Sequence, residues 1–505
     1  MLFYIYAMKI FSAGQIKDWD RYTIQQERIT STQLMERAAT VCVDWLKKNI
    51  PVSKKIAVFC GTGNNGGDGL VIARLLHKSK YLLSLHILDN EKKSEDFITN
   101  YSRLAKLKIE INYIRSPKDF SAVAKNTVIV DALFGTGVDR PLQHTAAKLV
   151  NYINGQKNLI ISIDMPSGLA PDKYIESEAI IKATHTLTFE TNKLAFFLAE
   201  NAGYTGKVHV LPIGLSKKYY HDTIAAFEAV DAKMIAQIYN PRNPFAHKYT
   251  FGHALLYAGS KNMMGAAVLC SKGCIRSGAG LVTIQVAPDC EAIIHTALPE
   301  AITSSEKDTA ISWLKKSAAA IGPGLEKSSS NKQLLKKLLV FWDKPLVIDA
   351  TALSLLKDLA ELLPKRKKNP AILTPHTGEF DQLFGKTAND FERMQLAVEK
   401  AKQLGCYIIL KGHYTFIACP EGIHYFNTTG NAGMATAGMG DTLTGIVCGL
   451  LAQRYSQREA CILGVYLHGL AGDIAAQQLS QEALIASDLI DHLGAAFLQI
   501  KNTNS

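Results

Sequence analysis

Short apolar segments rich in β-branched residues alternate with segments of helical periodicity along both halves of this 505-residue chain. The first half is predicted to begin with an amphipathic helix over residues 16–46. Its strands are predicted over residues 55–60, 82–88, 127–131, 159–163, 184–189 and 207–211. The strands of the second half are predicted over residues 253–258, 280–286, 318–321, 346–349, 371–373 and 407–411. Because this alternation is typical of a doubly wound, mostly parallel sheet, we predict an α/β fold for each half.

A domain boundary is predicted where this pattern weakens. The apolar periodicity fades over residues 214–226, and a new series of strands begins after the Asn-Pro-Arg-Asn-Pro segment at residues 240–244. We therefore place the boundary near residue 220, with one domain over residues 1–220 and a second over residues 221–505. No internal repeat relates the halves, which indicates a fusion of unlike units.

The composition is that of a globular protein, with 47% hydrophobic and 20% charged residues. No uninterrupted apolar run reaches the ~20 residues of a membrane-spanning helix, so we expect no membrane partner. Residues 1–7 are apolar but lack the basic flank and cleavage site of a signal peptide, and Met8 is an alternative start. The nine scattered cysteines favour reduced thiols in a cytoplasm, and we interpret Cys270 and Cys274 as core residues rather than metal ligands.

The charge balance points to an anionic partner. Lysine and arginine total 56 against 45 acidic residues, which gives a formal net charge of +11. The one dense basic run, residues 365–368, has no interleaved aromatic residues, so we interpret it as a solvated loop and expect no nucleic acid partner. Anionic small molecules are therefore the favoured ligands.

A glycine-rich segment, Gly-Thr-Gly-Asn-Asn-Gly-Gly-Asp-Gly at residues 61–69, separates a predicted strand from a helix predicted over residues 70–78. Glycine allows close backbone approach, and the following helix presents free N–H groups to an anion. A tight turn that binds nothing is the alternative, but two asparagines and Asp68 add polar groups that a turn does not need. Binding is therefore favoured.

Two further predicted strands in this half end in an acid. Asp131 leads into a Gly-Thr-Gly segment at residues 135–137, and Asp164 leads into Ser167. The carboxyl ends of parallel strands share one sheet edge, where ligands bind. Each acid alone could be a cap of a helix or turn, but the set favours a site.

These segments, with residues 34–38, resemble the NAD(P)H-hydrate epimerase family over residues 9–215. The resemblance implies a Rossmann-like sheet and a K⁺ ion held by Asn65, Asp131 and Ser167. It also implies contacts to a hydrated nicotinamide dinucleotide, NADHX or NADPHX. The implied contact residues are Asn64, Asn65, Gly66, Gly67, Asp68, Gly135, Thr136, Gly137, Val138, Asp139, Arg140, Pro141 and Asp164.

The family reaction inverts a hydroxyl-bearing carbon beside a ring nitrogen. Such a centre can lose and regain hydroxide, or open and reclose, if an acid–base group is in reach. Asp164 is the first candidate for that group. Lys193 is a second candidate, and a surface lysine following a strand is the alternative interpretation.

The most specific segment of the chain spans residues 431–445 and leads through Gly-Met-Gly into Asp441 and an apolar helix. Backbone N–H groups of residues 438–441 would converge at the start of that helix, as needed to hold a transferring phosphoryl group. Asp441 could then accept the proton of the attacking hydroxyl. The alternative is that Asp441 is only a helix N-cap.

This segment resembles the end motif of ribokinase-like kinases. The second half more specifically resembles the nucleotide-dependent NAD(P)H-hydrate dehydratase family over residues 230–500. The segments that carry this resemblance are residues 251–260, 264–267, 276–283, 321–324, 373–380 and 410–412. The dinucleotide contacts it implies are Ala266, Gly324, His376 and Asp441. The nucleotide contacts it implies are Lys411, Gly412, His413, Tyr414, Thr415 and Gly440. Two positions depart from the family: Thr351 stands where a second acid is usual, and Leu325 where another glycine is usual.

Together the two resemblances imply a bifunctional repair enzyme for hydrated NADH and NADPH. One domain would interconvert the epimers, and the other would phosphorylate the hydroxyl with ADP or ATP and Mg²⁺ and then eliminate phosphate. We expect a homo-oligomer. Two alternatives stay open: a small-molecule kinase with a non-catalytic first domain, and a dinucleotide-binding module whose epimerase site is inactive.

Overall fold

The computed structural model describes residues 9–107, 109–304 and 313–503. Contacts within it divide the chain into two units between Phe227 and Glu228, against a predicted boundary at residue 220. Each unit is described by itself below.

The first unit is built on a parallel sheet. Its strands are β1 Lys9–Ile10, β2 Ile56–Cys60, β3 Leu83–Leu88, β4 Ile111–Ile114, β5 Val128–Ala132, β6 Ile160–Ile163, β7 His185–Phe189 and β8 Lys207–Leu211. Strands β2 to β8 pair in the order β4-β3-β2-β5-β6-β7-β8, and every pair is parallel. The order runs outward from β2 in both directions, which is the doubly wound arrangement that the sequence predicts.

Helices cover both faces of this sheet. They are α1 Ala13–Glu27, α2 Ser31–Asn49, α3 Asn64–Lys78, α4 Glu95–Leu104, α5 His144–Gly155, α6 Ala202–Thr205 and α7 Lys217–Asp222. One apolar core lies between the sheet and helices α2, α3 and α4, and a second core includes α5 on the opposite face. The prediction of an α/β fold is confirmed.

The single helix predicted over residues 16–46 is wrong, because two helices occupy that segment. Helix α1 ends at Glu27, its C-cap Arg28 has a left-handed φ of 54°, and helix α2 starts after Thr30. Thr30 accepts a hydrogen bond from the backbone N–H of Gln33, whose side chain accepts one from the Thr30 N–H. This capping box starts a new helix despite the continuous apolar periodicity.

The second unit carries a mixed sheet. Its strands are β9 Phe227–Val230, β10 His253–Tyr257, β11 Leu281–Gln285, β12 Ile302–Ser304, β13 Ala318–Ile321, β14 Leu346–Ile348, β15 Ile372–Leu373, β16 Tyr407–Leu410, β17 Phe416–Ala418 and β18 His424–Asn427. Strands β10 to β18 pair in the order β18-β17-β16-β15-β14-β13-β10-β11-β12. All these pairs are parallel except the two that involve β17.

The helices of this unit are α8 Ala232–Ile238, α9 Met264–Arg276, α10 Glu291–Ala297, α11 Ser329–Phe341, α12 Ala350–Leu356, α13 Thr377–Phe384, α14 Asp390–Leu404, α15 Met439–Ala452, α16 Gln457–Leu479 and α17 Ala486–Thr503. Within the described residues, α16 is the one helix long and apolar enough to cross a membrane, and 78% of its most apolar window is buried inside the protein.

Helices α9 and α15 cross with their backbones in direct contact. A Cβ at Gly445 would lie 2.0 Å from the carbonyl oxygen of Cys270, and one at Gly449 would lie 2.6 Å from that of Cys274. Only glycine fits at these positions, so the two helix backbones touch. Cys270 and Cys274 are fully buried thiols at this crossing, which confirms their prediction as core residues.

The basic run at residues 365–368 is only partly the solvated loop that its sequence predicts. Arg366 is buried, and its guanidinium donates to the backbone carbonyls of Leu338, Trp342 and Lys344. This arginine therefore joins the loop to the end of α11 rather than facing a partner.

Candidate active sites of the two units

The glycine-rich segment is helical earlier than predicted. Helix α3 begins at Asn64 rather than at residue 70, and Gly63 is its N-cap. None of the glycines at positions 61–69 has a positive φ. From Asn64 onward the predicted loop is therefore the start of a helix, and Asn64 is exposed at its N-terminus.

Close packing explains these glycines. A Cβ at Gly66 would lie 1.9 Å from the carbonyl oxygen of Gly61, and one at Gly61 would lie 2.1 Å from that of Leu133. A Cβ at Gly69 would lie 2.5 Å from the sulfur of Cys60. The start of α3 is thereby pressed against the ends of β2 and β5.

Three predicted substrate residues meet beside this helix. Asn65 is buried, and neither atom of its side-chain amide has a hydrogen-bond partner within the described structure. A Cβ at Gly135 would lie 3.3 Å from the Asn65 amide carbon and 3.4 Å from Oδ2 of Asp164. The Gly135 turn therefore stands between an unsatisfied amide and a carboxylate.

Asp131 and Ser167 also come together. Asp131 is completely buried at the end of β5, and it accepts hydrogen bonds from the Ser167 hydroxyl at 2.5 Å and backbone N–H at 3.0 Å. The Ser162 hydroxyl donates to the same carboxylate at 2.7 Å. Burial raises the pKa of Asp131, and these hydrogen bonds act in the opposite direction.

Residues 136–141 follow in an irregular loop. Val138 is buried, whereas Gly137, Asp139, Arg140 and Pro141 are exposed. No hydrogen bond within the described residues joins them to Asn65 or Asp164. The structure thus brings Gly135 next to Asn65 and Asp164, and the predicted substrate contacts of residues 136–141 stay a prediction.

Lys193 is not the surface lysine of the alternative interpretation. Its side chain is buried, and Nζ lies 2.9 Å from Oδ1 of Asp164. Nζ also donates to Thr188 Oγ1 at 2.7 Å and to the Phe189 carbonyl at 3.0 Å. Asp164 itself has a left-handed φ of 63°, an uncommon conformation outside glycine that recurs at functional sites.

In the second unit, Lys411 is the centre of a charged cluster. Its Nζ lies 3.1 Å from Oδ1 of Asp349 and 3.8 Å from Oε2 of Glu379. Thr444 Oγ1 donates to the other Asp349 oxygen at 2.7 Å. Burial acts to lower the pKa of Lys411, but the two carboxylates outweigh it and the pKa is raised.

Gly440 makes room for this lysine, since a Cβ there would lie 3.2 Å from the Lys411 Nζ. Asp441 is the third residue of α15, and Gly438, with φ 88°, is its N-cap. The N-cap alternative for Asp441 is therefore wrong. The pKa of Asp441 is raised to about 6, first by burial and then by the Asp349 charge, and Lys411 acts in the opposite direction.

His376 is the N-cap of α13. Its Nδ1 accepts from the backbone N–H groups of Gly378 at 3.0 Å and Glu379 at 3.3 Å, while Glu379 accepts from the His376 N–H at 2.9 Å. The ring is 59% exposed, and its backbone pairs with Lys411 in a β-bridge. His376 therefore orders the helix start and still offers an open ring edge beside the lysine cluster.

Ala266 and Gly324 are in contact. Gly324 has a φ of 64°, and a Cβ there would lie 2.8 Å from the Ala266 Cβ. Thr351, which stands at the position of the missing acid, donates its hydroxyl to the Leu325 carbonyl at 2.8 Å. Both departures from the family pattern thus form one contact that holds the loop after β13.

The remaining predicted nucleotide residues lie in the turn between β16 and β17. The Thr415 hydroxyl donates to the Gly412 carbonyl at 3.2 Å, and the His413 and Tyr414 rings meet edge-on at 4.5 Å. Gly412 and His413 are exposed. This turn follows Lys411 directly, so it adjoins the charged cluster.

Comparison with known proteins is decisive. Residues 31–195 match the family model described as YjeF-related protein N-terminus, and residues 254–494 match that described as NAD(P)H-hydrate dehydratase. The chain is 34% identical to the bifunctional NAD(P)H-hydrate repair enzyme Nnr of Moorella thermoacetica, over 96% of each chain. It is 33% identical to that of Thermofilum pendens, over 98% of this chain and 97% of the relative. The chain belongs to the bifunctional NAD(P)H-hydrate repair enzymes.

The prediction of an epimerase joined to a dehydratase is thereby confirmed over the kinase alternative. Among solved structures, the Bacillus subtilis ADP/ATP-dependent NAD(P)H-hydrate dehydratase co-crystallised with ATP and Mg²⁺ is 34% identical. That match covers 54% of this chain and 97% of the other, with a TM-score of 0.47.

Sequence patterns assign no role to several charged residues of the two repair sites. In the dehydratase unit these are Asp349 and Glu379, both visible in the sequence as acids that follow a strand. In the epimerase unit they are Glu190 and Asp20. Glu190 also follows a strand, but Asp20 lies on the polar side of α1, where no local signal marks its burial.

Proposed function

We propose that the epimerase unit interconverts the R and S epimers of NADHX and NADPHX, and that the dehydratase unit restores NAD(P)H from the S epimer. ADP is the proposed phosphoryl donor, with ATP as the alternative, and AMP and phosphate are the products with ADP. The observation that carries this proposal is the arrangement of Asp441 on the first turn of α15 beside the Lys411–Asp349 pair.

In the epimerase unit, Asp164 is the proposed base. The Lys193 ammonium, 2.9 Å from Oδ1 in a buried setting, would hold the Asp164 carboxylate in place to accept a proton. The carbon to be inverted carries a hydroxyl next to a ring nitrogen, whose lone pair can stabilise the planar intermediate. Asp164 would then take the proton of the water that adds to that carbon.

A K⁺ ion is proposed beside these residues. The unsatisfied buried amide of Asn65 offers an oxygen with no other partner, and Asp131 and Ser167 supply further oxygens of the kind that alkali cations prefer. When bound, the ion would supply positive charge to the substrate's polar groups. Asn65 and Ser167 would orient it, and Asp131 would hold Ser167.

In the dehydratase unit, Asp441 is the proposed base for phosphoryl transfer. A carboxylate with a pKa near 6 is ionised at neutral pH and is a stronger base than an ordinary aspartate. It would accept the hydroxyl proton as that oxygen attacks the terminal phosphorus of the nucleotide. Phosphate leaves far more readily than hydroxide, so elimination restores the dihydronicotinamide ring.

Groups of the protein itself would stabilise the negative charge on the transferring phosphoryl group. The free N–H groups at the start of α15 and the Lys411 ammonium would hold the developing negative charge. The carboxylates of Asp349 and Glu379 are suitable oxygen ligands for a Mg²⁺ ion, which would neutralise the phosphates when bound. The turn at residues 412–415 is proposed to bind the nucleotide.

We also propose a cytoplasmic location, because all nine cysteines are free buried thiols, which suits a reducing compartment. The proposed substrates are small molecules, with no nucleic acid or membrane partner and with a homo-oligomer as the expected assembly.

The test uses an epimeric mixture of NADPHX, Mg²⁺, K⁺ and either ADP or ATP, with reduced nicotinamide absorbance and released AMP followed together. The wild-type chain should recover the whole mixture quickly. Asp164→Asn should recover only about the S half in the fast phase, whereas Asp441→Asn should recover none in that phase, because removal of a general base lowers the rate by about 10²–10⁴-fold.

The exposed Asp222→Asn and Asp491→Asn variants are controls. Full rapid recovery by Asp441→Asn would refute the proposed dehydratase mechanism.

A further inference from the structure

Thr444 directs its hydroxyl group out of its own helix. It lies on α15, one turn after Asp441, and its side chain is completely buried. A buried threonine in a helix can donate to the carbonyl four residues earlier, and Thr442 does so to Gly438 at 3.0 Å. Thr444 instead donates to Oδ2 of Asp349 at 2.7 Å. The helix with the proposed base therefore also holds a carboxylate from another element.

Asp349 has a fixed backbone and a side chain that does not cap its helix. It occupies the N-cap position of α12, where an aspartate commonly accepts from N–H groups of the first turn, but it makes no such hydrogen bond. Ala350, the next residue, has a φ of 48°, which is uncommon outside glycine. The Asp349 N–H donates to the Ile321 carbonyl at 3.0 Å, and a Cβ at Gly322 would lie 1.8 Å from the Asp349 carbonyl oxygen. The carboxylate is thus turned away from α12 on a backbone that is held in place.

The two oxygens of this carboxylate have different partners. Oδ2 accepts from Thr444, and Oδ1 lies 3.1 Å from Lys411 Nζ. The Asp349 side chain is 1% exposed, so water competes little with either contact. Because an aspartate carboxylate turns readily about χ2, the Thr444 hydroxyl fixes the plane in which Oδ1 meets the ammonium.

The position of the Lys411 ammonium matters because it faces the first turn of α15. A Cβ at Gly440 would lie 3.2 Å from Nζ, and Gly440 directly precedes Asp441. Glu379 lies 3.8 Å from the same nitrogen, so Asp349 makes the shorter of the two contacts. In the proposed reaction this ammonium holds the negative charge that develops on the transferring phosphoryl group.

Resting on the proposed dehydratase reaction, we infer that Thr444 is a positioning residue of that site and acts through Asp349 on Lys411. Its hydroxyl orients the Asp349 carboxylate, which in turn holds the ammonium where negative charge develops. Without the hydroxyl, a buried carboxylate oxygen loses its donor and the carboxylate turns toward another. A displacement of about 1 Å at such a group can lower a rate about 100-fold. Helix α15 thereby fixes both the base and, through Asp349, the cation.

Substitutions at position 444 of the full-length chain test this inference, with S-NADHX, Mg²⁺ and ADP. Thr444→Ser and Thr444→Ala both lack the methyl group and differ only in the hydroxyl, so their comparison isolates the hydrogen bond. The kcat of Thr444→Ala should be at least about tenfold below that of Thr444→Ser, with KM for ADP changed less than about threefold, because the affected charge develops in the transition state. Thr444→Val, which keeps the branched shape, should behave as Thr444→Ala does.

Ser277→Ala is the matched control. Ser277 is a buried hydroxyl of the same unit, but it donates to a backbone carbonyl, that of Cys274 at 2.9 Å, rather than to a charged group. Its removal should leave kcat close to that of the wild-type chain. Thermal unfolding of every variant is measured, and the assays are run below the lowest transition of the set, so that a loss of folding is not counted as a loss of rate.

A smaller difference between Thr444→Ala and Thr444→Ser, an equal fall of kcat in Ser277→Ala, or a loss confined to KM would overturn the inference. Each of these outcomes would assign the Thr444 hydroxyl to packing alone. Absence of ADP-dependent dehydration by the wild-type chain would instead overturn the proposed function on which the inference rests.

Discussion

Aspartate residues with raised pKa values are found in both units. Asp20 and Asp131 in the epimerase unit and Asp441 in the dehydratase unit each lie where burial disfavours the ionised form. A folded-state pKa above the unfolded value means that the folded protein binds more protons. The free energy of unfolding therefore falls as pH rises from the unfolded-state pKa to the folded-state pKa. A functional carboxylate of this kind is kept although it makes the folded protein less stable.

This penalty is measurable at Asp441. Its pKa is about 6 in the folded protein against a usual 3.8, so the ionised side chain destabilises the dehydratase unit above pH 6. Asp441→Asn should raise the free energy of unfolding by about 1–3 kcal/mol at pH 8 and by almost nothing at pH 4. Thermal unfolding of the dehydratase unit at both pH values measures this, with Asp491→Asn as control. Equal effects at pH 4 and pH 8 would contradict the pKa argument.

Lys193 should show the opposite behaviour. Lys193→Met removes the buried ammonium that lies 2.9 Å from Asp164 and also interacts with Glu190 and Asp20, so at pH 8 it should lower the free energy of unfolding of the epimerase unit by about 3–5 kcal/mol. At pH 5 the loss should be smaller, because Asp20 and Glu190, whose pKa values burial raises, are then more protonated. Urea unfolding at the two pH values is the measurement, and exposed Lys182→Met is the control. A loss independent of pH would show that packing rather than charge is responsible.

Residue positions at the ends of strands were predictable, whereas their surroundings were not. Asp131 and Asp164 end buried apolar runs, so the sequence places them at the ligand-binding edge of a parallel sheet. The burial of Lys193 and of Asp20 depends on elements that are distant along the chain. Local periodicity contains no such information, and for that reason the surface-lysine alternative stood beside the functional one.

Among the elements, α3 shows most clearly how packing sets a boundary. Gly66→Ala would place a methyl group 1.9 Å from the Gly61 carbonyl oxygen, so either the helix or the β2–α3 turn must shift. Because Asn65 precedes this position, epimerase activity should fall at least about tenfold, and stability by roughly 1–3 kcal/mol. Gly155→Ala, with no atom within 4 Å of the added methyl, is the control. Epimerisation rate and thermal unfolding report the two effects, and unchanged values for both would show that the backbone there yields freely.

Strands were predicted better than helix boundaries. Buried parallel strands read as continuous apolar runs, and β2, β3 and β13 lie within their predicted ranges. The break after α1 and the early start of α3 follow from a capping box and from backbone contacts, which can outweigh helical periodicity. Strands β17 and β18 were not predicted, since short antiparallel strands carry a weak local signal.

At the scale of the whole molecule, the net charge of +11 should act on substrate capture rather than on chemistry. Exposed charges are screened beyond ~10 Å at 0.1 M salt, whereas the buried Lys193–Asp164 pair is screened much less. Raising the salt concentration from about 0.05 to 0.5 M should therefore raise KM for NADPHX several-fold in both reactions and leave kcat nearly constant. The salt should be a choline salt at fixed K⁺. A salt-dependent kcat with constant KM would contradict this expectation.

The backbone contact between α9 and α15 has a consequence for motion. Because Gly445 and Gly449 press one helix directly on the other, α15 cannot slide or rotate without unpacking the dehydratase core. The partly exposed turn at residues 412–415 and the exposed stretch at residues 435–437 are not restrained in this way. Amide hydrogen exchange should therefore be slowest along α15 and fastest in these two segments. Closure over a nucleotide would then be a movement of loops toward a stationary helix start, and the position of Asp441 would be the same before and after the ligand arrives.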